Sequence, residues 1–114
     1  MTIIDRFRFE LSDKEYFSNS DIYAEILQEH GLDPLDEYDH ANHRVQLLEA
    51  TYTVLQMLAN DIDSFRKVET EFVTTSAAYQ YLQKRLKDVR SEIDRLRWEN
   101  NTASSVVHHL FYNA

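Results

Sequence analysis

Gly31 and Pro34 are the only glycine and the only proline in 114 residues, and this scarcity limits the fold more than any other feature. Glycine averages roughly 7% of a chain and proline roughly 5%. Tight hairpins and phosphate-cradling loops draw heavily on glycine, so neither is expected here. The expected fold is all-α: helices joined by short polar connections. A hydrophobic fraction of 43% and a charged fraction of 28% place the chain among globular rather than disordered sequences. A compact monomer of this length exposes roughly 6,500 Å², about a third of its extended surface. One domain with one modest core is expected.

There is no cysteine, which excludes disulfides, Cys-ligated zinc, iron–sulfur clusters and thiol nucleophiles together. No apolar run approaches the roughly 18 residues of a membrane span, and the opening MTIIDRFRFE lacks a signal-peptide core. The expectation is a soluble cytoplasmic protein with no membrane partner.

Periodicity divides the chain into a helical domain over residues 1–99 and a tail over 100–114. Ile3, Ile4, Phe7 and Leu11 have helical spacing, although Arg6 to Leu11 also alternates like a strand. A short helix near 3–11 with Thr2 as its cap is the preferred reading. A second, near 20–30, carries Ile22, Tyr23, Ile26 and Leu27, can be capped by Ser18 or Ser20, and ends at Gly31 as a left-handed C′ residue. Asp33-Pro34 suits a turn or a short helix. Asp39 then caps a long helix over 40–65, whose apolar positions Val45, Leu48, Tyr52, Leu55, Ala59 and Ile62 are joined by Leu47, Val54, Leu58 and Phe65. So broad a face places this helix at the centre of the fold. Residues 66–75 break the pattern, with 71–74 read as extended and Phe72 turned into the core; Thr74, Thr75 and Ser76 are candidate caps. Tyr79, Leu82, Leu86, Val89, Ile93 and Leu96 follow at 3-4-3-4-3 spacing on a helix over 77–98. An antiparallel hairpin of the two long helices is the expected body.

Charge is unevenly divided. The net charge is −8, with eleven acids and three bases in residues 1–39, whereas 84–97 holds six bases and three acids. The division suits subunits that meet head to side and disfavours a bare phosphate backbone, so no nucleic-acid interface is expected. Solubility alone is the simpler use of the acidic half.

Chemistry-bearing clusters are sparse. Asp36, Asp39, His40 and His43 are the densest set of metal-type ligands, but their spacing matches no metal motif and Asp39 is needed as a cap. His108 and His109 are adjacent, and Asp61 and Asp63 fall on different helix faces. No nucleophile elbow surrounds any serine. The reading is a non-enzyme, with no catalytic residue, no metal and no cofactor. Aromatic residues are plentiful: seven Tyr, six Phe and one Trp. Tyr16, Phe17, Tyr38, Tyr81 and Trp98 are candidates for exposure, and such residues are enriched at protein interfaces. Extra core filling serves any one of them equally.

The tail reads as a polar linker, 100–105, followed by an apolar arm containing Val106, Val107, Leu110, Phe111 and Tyr112. Such an arm docks either on its own subunit or on another molecule. With Tyr81 and Trp98 these five residues are the candidate protein interface.

The segments TIIDRF, EILQEHGLDP, HRVQLLEATYTVLQMLANDID and FVTTSAAYQYLQKRLKDVRSEIDRL, spanning about residues 2–97, resemble the small helical head–tail connector (adaptor) proteins of tailed bacteriophages and prophages. The likeness lies in helix order, length and texture, with no invariant motif. It implies a structural subunit that self-associates as a ring, commonly twelve-fold, against a portal or neighbouring tail-completion protein and extends the DNA channel. It also implies a location in the virion, or in the host cytoplasm during assembly. Family members often carry an insertion or β-hairpin between helices, for which 66–75 is too short. The alternative is a helical adaptor or regulatory module that binds a single protein partner.

Overall fold

The computed structural model describes residues 1–12, 16–17, 21–60 and 74–112, with 101–112 described as backbone only. Among them are four helices: α1 (Ile3–Glu10), α2 (Asp21–Glu29), α3 (His40–Asn60) and α4 (Thr75–Tyr112). The fold is all-α.

Local chemistry sets the helix ends. The Thr2 hydroxyl accepts from the Asp5 amide at 3.3 Å, and the Pro34 and Asp36 carbonyls take the amides of Ile4 and Ile3. The turn at 34–38 therefore satisfies donors that α1 leaves open. Its own bend is an Asx turn, in which the Leu35 amide donates to Asp33 Oδ1. α2 closes in a Schellman motif: the Leu32 amide reaches the Leu27 carbonyl, the Gly31 amide reaches Gln28, and Gly31 has φ +77°. Leu27 and Leu32 are both buried, the contact that accompanies this motif. Asp39 caps α3 through the Ala41 amide, and Thr74 caps α4 through the Ala77 amide. The expected Ser18 and Ser20 caps, the end of the 40–65 helix and the reading of Phe72 lie outside the described residues.

At the end of α1, Ser12 has φ +61°, a left-handed conformation that costs a non-glycine residue about 1 kcal/mol. Ser12→Gly should raise the melting temperature by about 2–4 °C, after allowance for glycine's greater freedom in the unfolded chain. Calorimetry on the two proteins checks this.

Among the described residues α3 packs on all three other helices, whereas α2 meets only α1 and α3. Its buried residues form two adjacent stripes: Leu47, Thr51, Val54 and Leu58, then Leu48 and Leu55. Thr51 sits in the core because its hydroxyl donates to the Leu47 carbonyl at 2.9 Å. On α4 the buried positions are Ala78, Leu82, Val89 and Ile93, with Leu86 and Leu96 half-buried. Tyr79, expected on this stripe, is 54% exposed. A straight α-helix repeats every 3.6 residues rather than 3.5, so the first turn of α4 rotates Ala78 inward instead.

The tail differs from its expected form. The α4 backbone stays helical to Tyr112, through the segment read as a linker and an extended arm. Residues 100–105 contain neither proline nor glycine, and Asn, Ser and Thr cost a helix only about 0.5 kcal/mol each relative to Ala. The 3-4 spacing also continues, through Ile93, Leu96, Asn100, Ala103, Val107 and Leu110.

Candidate interaction surfaces

The helix phase that buries Ile3, Phe7 and Leu11 carries Arg6 and Glu10 to the junction of α1 with α3 and α4. The Glu10 side chain is 11% exposed. Its Oε1 accepts from Arg6 at 3.2 Å and from Arg44, and its Oε2 lies 3.7 Å from Arg85. Arg85 also donates to the Glu10 carbonyl at 2.9 Å, and Arg44 reaches on to Glu92 at 3.2 Å. Arg6 lies 5.3 Å from the ring centroids of both Phe9 and Tyr38. Burial alone would lower the Arg44 guanidinium, but its bonds and charge interactions with Glu10 and Glu92 more than offset this and hold it above its ordinary value. The Nε atoms of Arg6 and Arg44 are buried without a hydrogen-bond partner among the described residues. The cluster is a part-buried clasp joining three helices.

A second polar group links His30, just past the end of α2, to α3 and through Glu49 to α4. His30 Nε2 lies 3.0 Å from the Thr53 hydroxyl, and Nδ1 lies 3.9 Å from Glu49, which also pairs with Arg97. The order Thr, His, Glu echoes a hydrolytic triad, but the geometry is that of a staple. The Thr53 hydroxyl donates to the Glu49 carbonyl, and Nδ1 to carboxylate is too long for an orienting hydrogen bond.

Asp39, His40 and His43, at the start of α3, are likewise engaged locally. The Asp39 amide donates to His43 Nδ1 at 3.0 Å, and Tyr38 Oη lies 3.2 Å from His40 Nδ1. No group of three or more metal-type ligands occurs among the described residues.

Several accessible features lie along α4. Trp98 is 67% exposed, near the level at which α3 begins, whereas Tyr81 is half-buried against the core. Of Val106, Val107, Leu110, Phe111 and Tyr112 the structure describes only a helical backbone. Two grooves separate α3 from α4. One, of about 470 Å³, is lined by Ala41, Asn42, Val45, Gln46, Glu49, Arg97 and Asn100. The other, of about 310 Å³, is lined by Tyr52, Gln83, Leu86, Lys87, Arg90 and Ser91. On the exposed side, the hydrogen bond from Lys84 holds the Asp88 carboxyl below its usual range. Among the described residues no helix is long and apolar enough to cross a membrane.

No family model matches the chain, and neither a curated protein nor a solved structure does. The two polar clusters were not foreseen from the sequence. Their members lie 34 and 75 positions apart in the first cluster and 23 and 48 in the second. Only the Arg6/Glu10 i,i+4 pair carried a local signal.

Proposed function

We propose that the chain is a structural, non-enzymatic assembly subunit of the head–tail connector kind, which associates with copies of itself against a portal or neighbouring tail protein. The observation that carries this reading is the overhang of α4 past the start of α3. α4 is level with the start of α3 at Asn100, which shares a groove with Ala41, and its backbone stays helical to Tyr112. From there α4 runs on by about 18 Å at 1.5 Å per residue. The radius of gyration is 16.9 Å, against about 13 Å for a compact chain of this length. The surface of 7574 Å² exceeds that of a compact monomer by about 1,000 Å². A small protein whose last helix carries on past the helix it packs on is suited to assembly.

The body is read as an antiparallel pair. Val45, early in α3, shares a groove with Arg97, whereas Tyr52 shares one with Gln83 to Ser91. This order supports the antiparallel sense. Val106, Val107, Leu110, Phe111 and Tyr112 then belong to the overhanging end of α4, beyond Trp98, as the contact for a neighbour.

Light scattering coupled to size-exclusion chromatography tests the reading, on the full chain and on a version ending at Thr102. The expected result is an oligomer of roughly a dozen subunits for the full chain, reduced severalfold by truncation. A full chain that is monomeric at every concentration, and that binds one soluble protein one-to-one, overturns it in favour of the adaptor.

A further inference from the structure

We propose that a second copy of the chain lays the acidic face of its α2 along the basic outer face of α4, over the groove lined by Tyr52, Gln83, Leu86, Lys87, Arg90 and Ser91. The proposal rests on the assembly reading above and gives it a specific interface.

The α4 side has the form of a receiving surface. Tyr52 and Leu86 are half-buried and make an apolar floor, while Lys87 and Arg90 stand exposed on the rim. Lys87 has no ion pair among the described residues. Arg90 and the neighbouring Lys84 are engaged only in exposed i,i+4 pairs, with Asp94 and Asp88. Such pairs hold their cations weakly and leave them free to exchange partners. Lys84, Lys87 and Arg90 against Asp88 and Asp94 leave this side of α4 with a net charge of +1 around a small apolar strip.

The α2 side is its complement. Glu25 and Glu29 are exposed, lie four residues apart on one face, and share their helix with no base. Like charges at that spacing repel, and Glu29 also faces the negative end of the helix dipole. Neither Glu25 nor Glu29 has an ion-pair partner among the described residues. Ile22, half-buried, flanks the acidic row and supplies an apolar edge for the Tyr52–Leu86 floor. A cationic surface on another copy relieves a repulsion that the free chain retains.

The two faces lie on different parts of the molecule, since α2 packs on α1 and α3 and does not meet α4. The contact is therefore heterologous, head to tail. Repetition of such a contact closes a ring or extends a filament, whereas two identical patches would stop at a dimer.

Charge neutralisation in two separate variants tests this. Lys87→Gln with Arg90→Gln removes the receiving face; Glu25→Gln with Glu29→Gln removes the docking face. All four residues are exposed, and circular dichroism verifies that both variants remain folded. In sedimentation velocity at low salt, each variant alone is expected to weaken self-association by about tenfold or more, and added salt to weaken the parent protein. Mixed together, the variants retain one intact pairing per two chains, so association between the two variants is expected to exceed that of either variant alone. Assembly that is unchanged in both variants overturns this interface and leaves the assembly reading standing. Variants that remain monomeric when mixed overturn the pairing of these two faces. A parent chain that is monomeric throughout overturns both proposals.

Discussion

Replacing Glu10 with glutamine is expected to destabilise the fold by about 3 kcal/mol, the cost of removing one partner from a buried charge cluster. Glu10 is the only carboxylate that meets all three of Arg6, Arg44 and Arg85 among the described residues. Once it is neutral, Arg6 and Arg85 lose their carboxylate partner among the described residues and Arg44 keeps only Glu92. Arg44, at 15% side-chain exposure, cannot move fully into water without pulling the first turns of α3 away from α4. Glu92→Gln is the milder comparison, because that side chain is 35% exposed and water replaces part of what it loses; about 1 kcal/mol is expected. A Glu10→Gln/Arg44→Met double variant should recover part of the loss, since it removes the stranded cation along with its anion. Urea unfolding of the four proteins measures all of this. A Glu10→Gln cost below about 0.5 kcal/mol would mean that apolar packing alone holds α1 in place.

What was legible in the sequence followed from how local the cause was. Gly31 announced the end of α2 because a left-handed C′ residue has one strongly preferred solution. Thr2, Asp39 and Thr74 cap the helices they precede through hydrogen bonds two or three residues away. The breadth of apolar positions in α3 foretold a helix packed on several sides. Misreadings arose where two local signals competed. A heptad template put Tyr79 on the buried stripe, whereas the true helical repeat chose Ala78. A run of polar residues after Trp98 suggested a break, yet nothing in it forbids helix, and the backbone carries on. The Glu10 clasp and the His30–Thr53–Glu49–Arg97 staple were invisible for a different reason. Their members share no periodicity, and only the packing of separate helices makes them neighbours. The interaction surface falls between these cases: its charges are legible residue by residue, while the groove that α3 and α4 make between them is not.

Phe7→Ala is expected to cost about 3–5 kcal/mol, a large share of the roughly 5–15 kcal/mol that holds a domain of this kind. Phe7 is fully buried and meets Tyr23 edge-on, with ring centroids 6.0 Å apart and planes at 78°. Tyr23 in turn accepts a hydrogen bond from the Tyr16 amide at 2.9 Å and lies 5.5 Å from the Phe17 ring. Truncation at Phe7 therefore leaves a cavity on one side of the ring that positions the chain entering α2. Leu82→Ala, at an equally buried site on α4, supplies the comparison on the other side of α3, at about 2–5 kcal/mol. The more informative result is the form of the transition. α3 buries one stripe of Leu47, Thr51, Val54 and Leu58 and a second of Leu48 and Leu55, so neither layer keeps its packing once α3 unravels. A single transition, with amide exchange accelerated by about a hundredfold or more in α3 as well as in α1 and α2, is expected for Phe7→Ala. If α3 and α4 instead retained their protection while α1 and α2 exchanged freely, the two long helices would form a self-standing unit. In that case the Glu10 clasp would fasten a separable layer to a body that is already folded.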